Sequence, residues 1–161
     1  MIKKILLFIL GLFIGILFFM PKDNLFFTAQ KYLKSYNAFI NFKHIDNSLF
    51  YLTLSNVDIF YKDMKAIKID EVKMTPFILF NQVTFKNLKI ANNNFKLIKA
   101  NYNILHPLKI IIKGFSNLGK IDGYLNLESH KLKIYILDSK NKELQKMLKK
   151  DKKGYFYEQT F

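Results

Sequence analysis

The chain contains no cysteine and no arginine. The first absence excludes disulfides, thiolate metal ligands and a cysteine nucleophile. The second removes the guanidinium fork that reads phosphates and base edges, so all 26 basic residues are lysines and supply point charge alone. A formal charge of +14 accompanies heavy use of Lys, Asn, Ile and Phe. AT-rich coding produces that composition by itself, so part of the charge is discounted as compositional. Nucleic acid is correspondingly disfavoured as a direct partner.

Catalytic constellations are missing as well. His44, His106 and His130 are scattered, with no partner at metal-ligand spacing. Asp70-Glu71 is the one adjacent acid pair, and a strand would place its side chains on opposite faces. There is no Gly-rich phosphate loop, nucleophile elbow or His-Glu-x-x-His. The expectation is a protein that is not an enzyme and holds no metal or cofactor.

What the chain does have begins with ILLFILGLFIGILFFM, sixteen uncharged residues from Ile5 through Leu10 to Met20. As a helix they rise about 24 Å, slightly less than a hydrocarbon core of about 30 Å. Snorkelling of Lys3, Lys4 and Lys22 covers that mismatch. No small-residue cleavage box follows, so the run reads as a retained anchor and not a removed signal. Lys3 and Lys4 place the N-terminus in the cytoplasm and the chain after Pro21 outside. Gly11 and Gly15 have the G-x-x-x-G spacing of a helix dimer seam.

Beyond the anchor, residues 25–36 suggest a short amphipathic helix with Leu25, Ala29, Tyr32, Leu33 and Tyr36 on one face, capping the domain. From there to residue 136 the dominant period is two. SLFYLTLSNVDIFYK reads as two strands around Ser55-Asn56, and QVTFKNLKI as a strand with an irregularity near Asn87. In SNLGKIDGYLNLESHKLKIYI, Ile121, Leu125 and Leu127 alternate into a polar turn and Leu132, Ile134 and Ile136 resume: a hairpin. About eight short strands with polar turns predict antiparallel connections. Apolar residues on both faces, at Ile59, Phe60 and Tyr61 and at Ile110, Ile111 and Ile112, mark a candidate apolar groove.

The last segment changes character. DSKNKELQKMLKKDKKG predicts a helix over 139–153, with Ser139 as N-cap, Leu144, Met147 and Leu148 on one side, and Gly154 as the stop. Lys146, Lys149, Lys150, Lys152 and Lys153 form a candidate patch for an anionic partner, set against the plainer reading of a solvated helix face.

The chain thus divides into a cytoplasmic stub (1–4), a transmembrane helix (5–20), a juxtamembrane amphipathic segment (21–44) and a periplasmic β domain (45–161). The fold class is mainly β, a curved antiparallel sheet forming a groove or an open barrel-like shape, with short flanking helices.

The order of features carries a resemblance. L-T-L-S-N-V-D-I-F-Y-K is followed by I-K-I-D-E-V-K-M-T-P-F-I-L-F (67–80), then by L-G-K-I-D-G-Y-L-N-L (118–127) and G-Y-F-Y-E (154–158). Residues 45–158 so arranged resemble the type II secretion N protein family and, more distantly, the AsmA-like envelope proteins. The lipopolysaccharide-export C proteins share the anchor-plus-sheet layout. The resemblance implies a bitopic inner-membrane protein with a curved periplasmic sheet. Two functions follow as expectations. One is anchoring or docking of other envelope-machine proteins, in type II secretion or DNA uptake. The other is binding or transfer of phospholipid along an apolar β-groove.

Overall fold

Alternating apolar and polar residues build one eleven-stranded antiparallel sheet in the computed structural model. It describes residues 2–19, 22–76, 80–91, 93–138, 145–146 and 148–161. Two helices come first, α1 (Ile2–Phe19) and α2 (Lys22–Ser35). The strands are β1 (Ala38–Asn41), β2 (His44–Asn47), β3 (Leu52–Tyr61), β4 (Met64–Pro76), β5 (Phe80–Ile90) and β6 (Asn93–Asn103). They continue with β7 (Lys109–Ser116), β8 (Gly119–Asn126), β9 (Lys131–Leu137), β10 (Lys149–Asp151) and β11 (Gly154–Thr160). From β3 to β9 each strand pairs with the next in sequence; β11 then adds to β9 and β10 to β11, while β1 and β2 share β3. Among the described residues the order is an open path from β1 to β10.

The strands stay amphipathic because several change phase together. In β3 the buried residues are Leu52, Leu54 and then Val57, a step of three where a strand alternates by two. β4 makes the same step between Ile69 and Val72. Asn56 and Asn87 occupy the left-handed region at φ 53° and 51°, which asparagine tolerates. Asn87 donates from Nδ2 to Asp70 Oδ2 at 3.0 Å, tying the phase change of β5 to that of β4. In β6 the register against β7 shifts between Phe95 and Leu97. A phase slip in one strand alone would send its apolar residues to the wrong face; placed side by side, the slips keep the apolar rows aligned.

Asn56 therefore does not separate two strands, as the sequence suggested. It is an irregularity within a continuous β3. The irregularity expected near Asn87 and the hairpin β8–β9 are both present.

The core lies where α2 meets the first strands of the sheet. Phe26, Leu52, Leu54, Val57, Ile69, Val72 and Leu88 form the buried cluster, with Ile40, Phe42, Met74, Val83, Phe85 and Phe95 packed around it. The expected face of α2 is rotated. Tyr32 and Tyr36 are exposed, whereas Lys22 and Phe26 are buried and Gln30 and Leu33 half-buried. Phe26 drives this choice by packing edge-on to Phe42, and Gln30 Nε2 donates to the Ile40 carbonyl at 2.7 Å.

One further expectation changes. Lys149–Asp151 does not continue a helix but pairs with β11, through Lys149↔Phe156 and Lys150↔Tyr155. The edge of β11 offers hydrogen bonds that a lysine-rich helix end in water would lack. Residues 139–144 and Met147, where most of that helix was placed, lie outside the described residues, as do Met20 and Pro21. The uncharged part of α1, Ile5–Phe19, is about 22 Å long at 1.5 Å per residue. Among the described residues no helix is long and apolar enough to cross a membrane.

Gly114 and Gly123 sit in strand interiors because neighbouring backbone comes too close for a side chain. A Cβ on Gly123 would lie 2.6 Å from the Lys133 carbonyl oxygen and 3.0 Å from Ile134 Cα. Gly123→Ala is expected to destabilise the sheet by about 1–3 kcal/mol. Denaturant titration in detergent, monitored by circular dichroism, should show the midpoint fall; an unchanged midpoint would mean that the β8–β9 pair has room to spread.

Candidate functional site

Directly opposed residues in an antiparallel pair share a face, so the register assigns every side chain of β3–β9 to one side or the other. One side carries rows such as Leu52, Met74, Val83, Ala100, Ile112, Gly123 and Ile134. The next row on that side runs Leu54, Val72, Phe85, Ile98, Gly114, Ile121 and Ile136. The other side holds the lysines. Lys65, Lys68, Lys73, Lys86, Lys89, Lys99, Lys109, Lys113, Lys120, Lys131 and Lys133 all fall there, with Lys96 at the phase change.

The apolar side has two halves. Over β3–β5 it is sealed by Phe26 of α2 and by Phe42. From Phe95 onward the packed cluster ends, and Ile98, Ala100, Ile110, Ile112, Ile134 and Ile136 are only half-buried. Ala100, Gly114 and Gly123 put the smallest side chains in the middle of that region, between bulkier isoleucines and beside the buried Ile121, a low apolar strip called the trough below.

Electrostatics on the lysine side are only partly compensated. Lys65–Asp58 (2.6 Å), Lys86–Glu71 (2.7 Å) and Lys131–Glu158 (3.0 Å) are exposed pairs, each contributing about 0–1 kcal/mol. Two lysine pairs stand directly opposite each other, Lys68↔Lys89 and Lys99↔Lys113. Like charges so placed are destabilising.

At the far end of the same side, β10 is tied down by a compact network. The Asp151 carboxylate accepts from Tyr135 Oη at 2.8 Å, Lys133 Nζ at 3.1 Å and the Lys153 amide at 2.8 Å. Lys153 Nζ reaches on to Asp122 at 2.6 Å, spanning to β8. Lys133 also lies over the Phe156 ring at 3.9 Å. Desolvation opposes ionisation of Asp151, but the Tyr135 hydroxyl, the Lys153 amide and the Lys133 ammonium hold its pKa down to about 2. Proximity to Tyr135 first, and to Asp151 against the pull of desolvation, keeps Lys133 above the usual lysine range.

One largely covered lysine stands apart. Lys22 is only 6% exposed. It lines an apolar cavity of about 200 Å³ with Phe26, Ala29, Ile40, Leu52, Met74 and Pro76. No described residue forms a hydrogen bond or ion pair with it.

The residues singled out by sequence are scattered differently from the expectation. Ile59 packs against the core of β3–β5. Ile110 and Ile112 share its side but lie beyond β4, β5 and β6. Phe60 and Ile111 point to the lysine side, where Phe60 stacks on Phe39 at 4.7 Å; Tyr61 is exposed beside Lys62. Those six do not form one groove, and the trough of β6–β9 replaces them. Nor do the five C-terminal lysines form one helical patch. Lys149 and Lys150 are in β10, Lys153 is engaged by Asp122, and Lys146 and Lys152 are exposed. Of the anchor residues, Ile5 and Leu10 are exposed, and nothing lies within 4 Å of a Cβ built on Gly11 or Gly15. Lys22, Ala100 and the Asp151 network carried no sequence signal beyond residue type. Among the described residues no three His, Cys, Asp or Glu side chains converge as a metal site would need.

Compared with known proteins, the chain matches no family model, no curated protein and no solved structure.

Because the folded pKa of Asp151 lies below its ordinary value of 3.8, its stabilising contribution is present above about pH 4 and lost as pH falls toward 2. Asp151→Asn should lower the denaturation midpoint at pH 6, and the gap to the parent should close on acidification to pH about 2. A gap independent of pH would show that the carboxylate charge is not what holds β10.

Proposed function

We propose that this chain is a non-catalytic, single-pass inner-membrane protein whose periplasmic sheet binds phospholipid acyl chains along its apolar side, as the resemblance to AsmA-like proteins implies. The observation that carries this reading is the half of that side that α2 and Phe42 do not cover. Across β6–β9 it is apolar, free of lysine and lowered in the middle by Ala100, Gly114 and Gly123. Each methylene moved from water onto such a surface gains about 0.8 kcal/mol. No general base, nucleophile or phosphate cradle is required for that task.

Anchoring rests on α1. Ile5, Leu6, Leu7, Phe8, Ile9, Leu10 and Leu12 are all more than half exposed, on every side of the helix. A helix apolar all round belongs in lipid or in a protein core, and among the described residues no core surrounds this one. The described apolar length falls short of a full bilayer, a mismatch that tilt-free insertion with local thinning and lysine snorkelling absorbs at modest cost.

A second reading, docking of envelope-machine components in type II secretion or DNA uptake, is favoured by the outer edge of β1. A cleft of about 710 Å³ runs there between α2 and Ala38–Asn41, lined also by Lys34, Lys62 and Asp63. An added strand would find unpaired backbone in it, although Gln30 already occupies the Ile40 carbonyl.

Mass spectrometry of the full-length protein, purified in mild detergent, tests the choice. Stoichiometric phospholipid is expected, and Ala100→Phe, which puts a ring into the middle of the trough opposite Val83, should reduce it severalfold without lowering the denaturation midpoint. Stoichiometric protein partner without lipid would establish the docking reading in its place. The protein should also resist extraction from membranes by alkaline carbonate; release would remove the anchor.

A further inference from the structure

The two ends of the sheet differ in chemistry. At one end Lys62-Asp63 joins β3 to β4, Asn117-Leu118 joins β7 to β8 and Lys152-Lys153 joins β10 to β11, with Tyr61, Met64, Ile90 and Phe115 exposed on the strands beside them. At the other end the described turns carry more apolar residues, set around the polar Glu128-Ser129-His130. Leu49 and Phe50 precede β3, Phe80 opens β5, Ile104, Leu105 and Leu108 flank His106-Pro107 between β6 and β7, Leu127 follows β8, and Phe161 ends the described chain. All eight are exposed, and Leu105 reaches 78%. The neighbouring turns reinforce one another, for the Leu127 amide donates to the Leu108 carbonyl at 2.8 Å and the Phe161 amide to the His130 carbonyl at 3.0 Å.

Isolated exposed leucines need no explanation, but a fringe drawn from successive turns at one edge does. Its occupant is indicated by where the chain enters. Lys22, the first described residue after α1, packs beside Leu52, Met74 and Pro76, which are the strand ends on this same side. α2 then runs away from it, and Asn37 lies at the opposite end, where its carbonyl accepts from the Lys62 amide at 2.9 Å. Lys109 sits just inside the fringe on the lysine side, at the height where anionic headgroups would meet it, beside the Lys131–Glu158 pair.

We infer that this end of the sheet is a membrane-docking rim, whose turns enter the interfacial layer of a lipid bilayer so that the apolar trough opens onto it. The inference rests on the anchored reading above and adds the orientation of the sheet. With its strands standing on the membrane, a lipid can pass from the bilayer to the trough without crossing water.

The chain contains no tryptophan, so single substitutions act as clean depth reporters. Leu105→Trp and Leu127→Trp report the rim, Met64→Trp the opposite end and Leu10→Trp the anchor; all four sites are exposed, so none endangers the fold. The full-length variants are reconstituted into phosphatidylethanolamine–phosphatidylglycerol vesicles containing lipids brominated high on the acyl chain. Rim tryptophans should be quenched about threefold more than Met64→Trp, as expected of side chains about 5–10 Å into the headgroup boundary. Equal, weak quenching at rim and opposite end with strong quenching at Leu10→Trp overturns the rim and leaves the anchor. Silent Leu10→Trp with quenched rim tryptophans discards the anchor and keeps the rim. Silence at all of them discards both.

Discussion

Everything in this molecule depends on keeping the phase of its strands. A residue slipped by one position in a sheet changes sides, and here, over β3–β9, one side is almost wholly apolar while the other bears nearly every lysine of those strands. Four adjacent strands nevertheless change phase, and they do so at neighbouring positions. Asn56 and Asn87 take the left-handed conformation, Asp70 is held between β4 and β5 by the Asn87 amide, and β6 absorbs the shift before β7. A single strand making that change alone would bury polar groups and expose apolar ones along half its length.

The segregation of charge follows from the same constraint. Once one side must be apolar, lysine has only the other side and the turns to occupy, and a lysine-biased composition fills them. That account explains why Lys99 faces Lys113 and Lys68 faces Lys89 without an acid between them. The cost is small because both ammonium groups sit on long side chains in water, where two unit charges 4 Å apart repel by only about 1 kcal/mol. The Asp151 network is different in kind. It gathers Tyr135, Lys133, Lys153 and Asp122 around the short β10, where the ladder contributes few hydrogen bonds of its own.

Much of the fold could be read in advance because a period of two is hard to hide: the hairpin at 119–137 and the antiparallel order follow from it. What escaped was whatever depends on distance. SNLGKIDG says nothing of how close the Lys133 carbonyl comes to Gly123, and the period of α2 does not reveal that Phe26, and not Tyr32 or Tyr36, will find the core. The run ELQKMLKK has helical spacing, yet its last lysines pair with Tyr155 and Phe156 because an open strand edge lay within reach. The candidate groove failed for a related reason. Ile59 and Ile111 share composition and context, but parity puts them on opposite sides of the sheet. The trough itself was foreshadowed only as an idea; its floor is set by residues notable for lacking side chains.

From β3 to β9 the meander pairs every strand with its predecessor and successor. Such an arrangement grows like a ladder, each rung needing only the one before it. A hairpin could be inserted or deleted in the middle without redrawing any other pairing, provided that the phase is preserved. The width of the apolar surface is thus free to vary in evolution by whole hairpins, each adding about 10 Å at the usual strand spacing. Chains that share the layout but differ in size would then differ chiefly in the width of that surface.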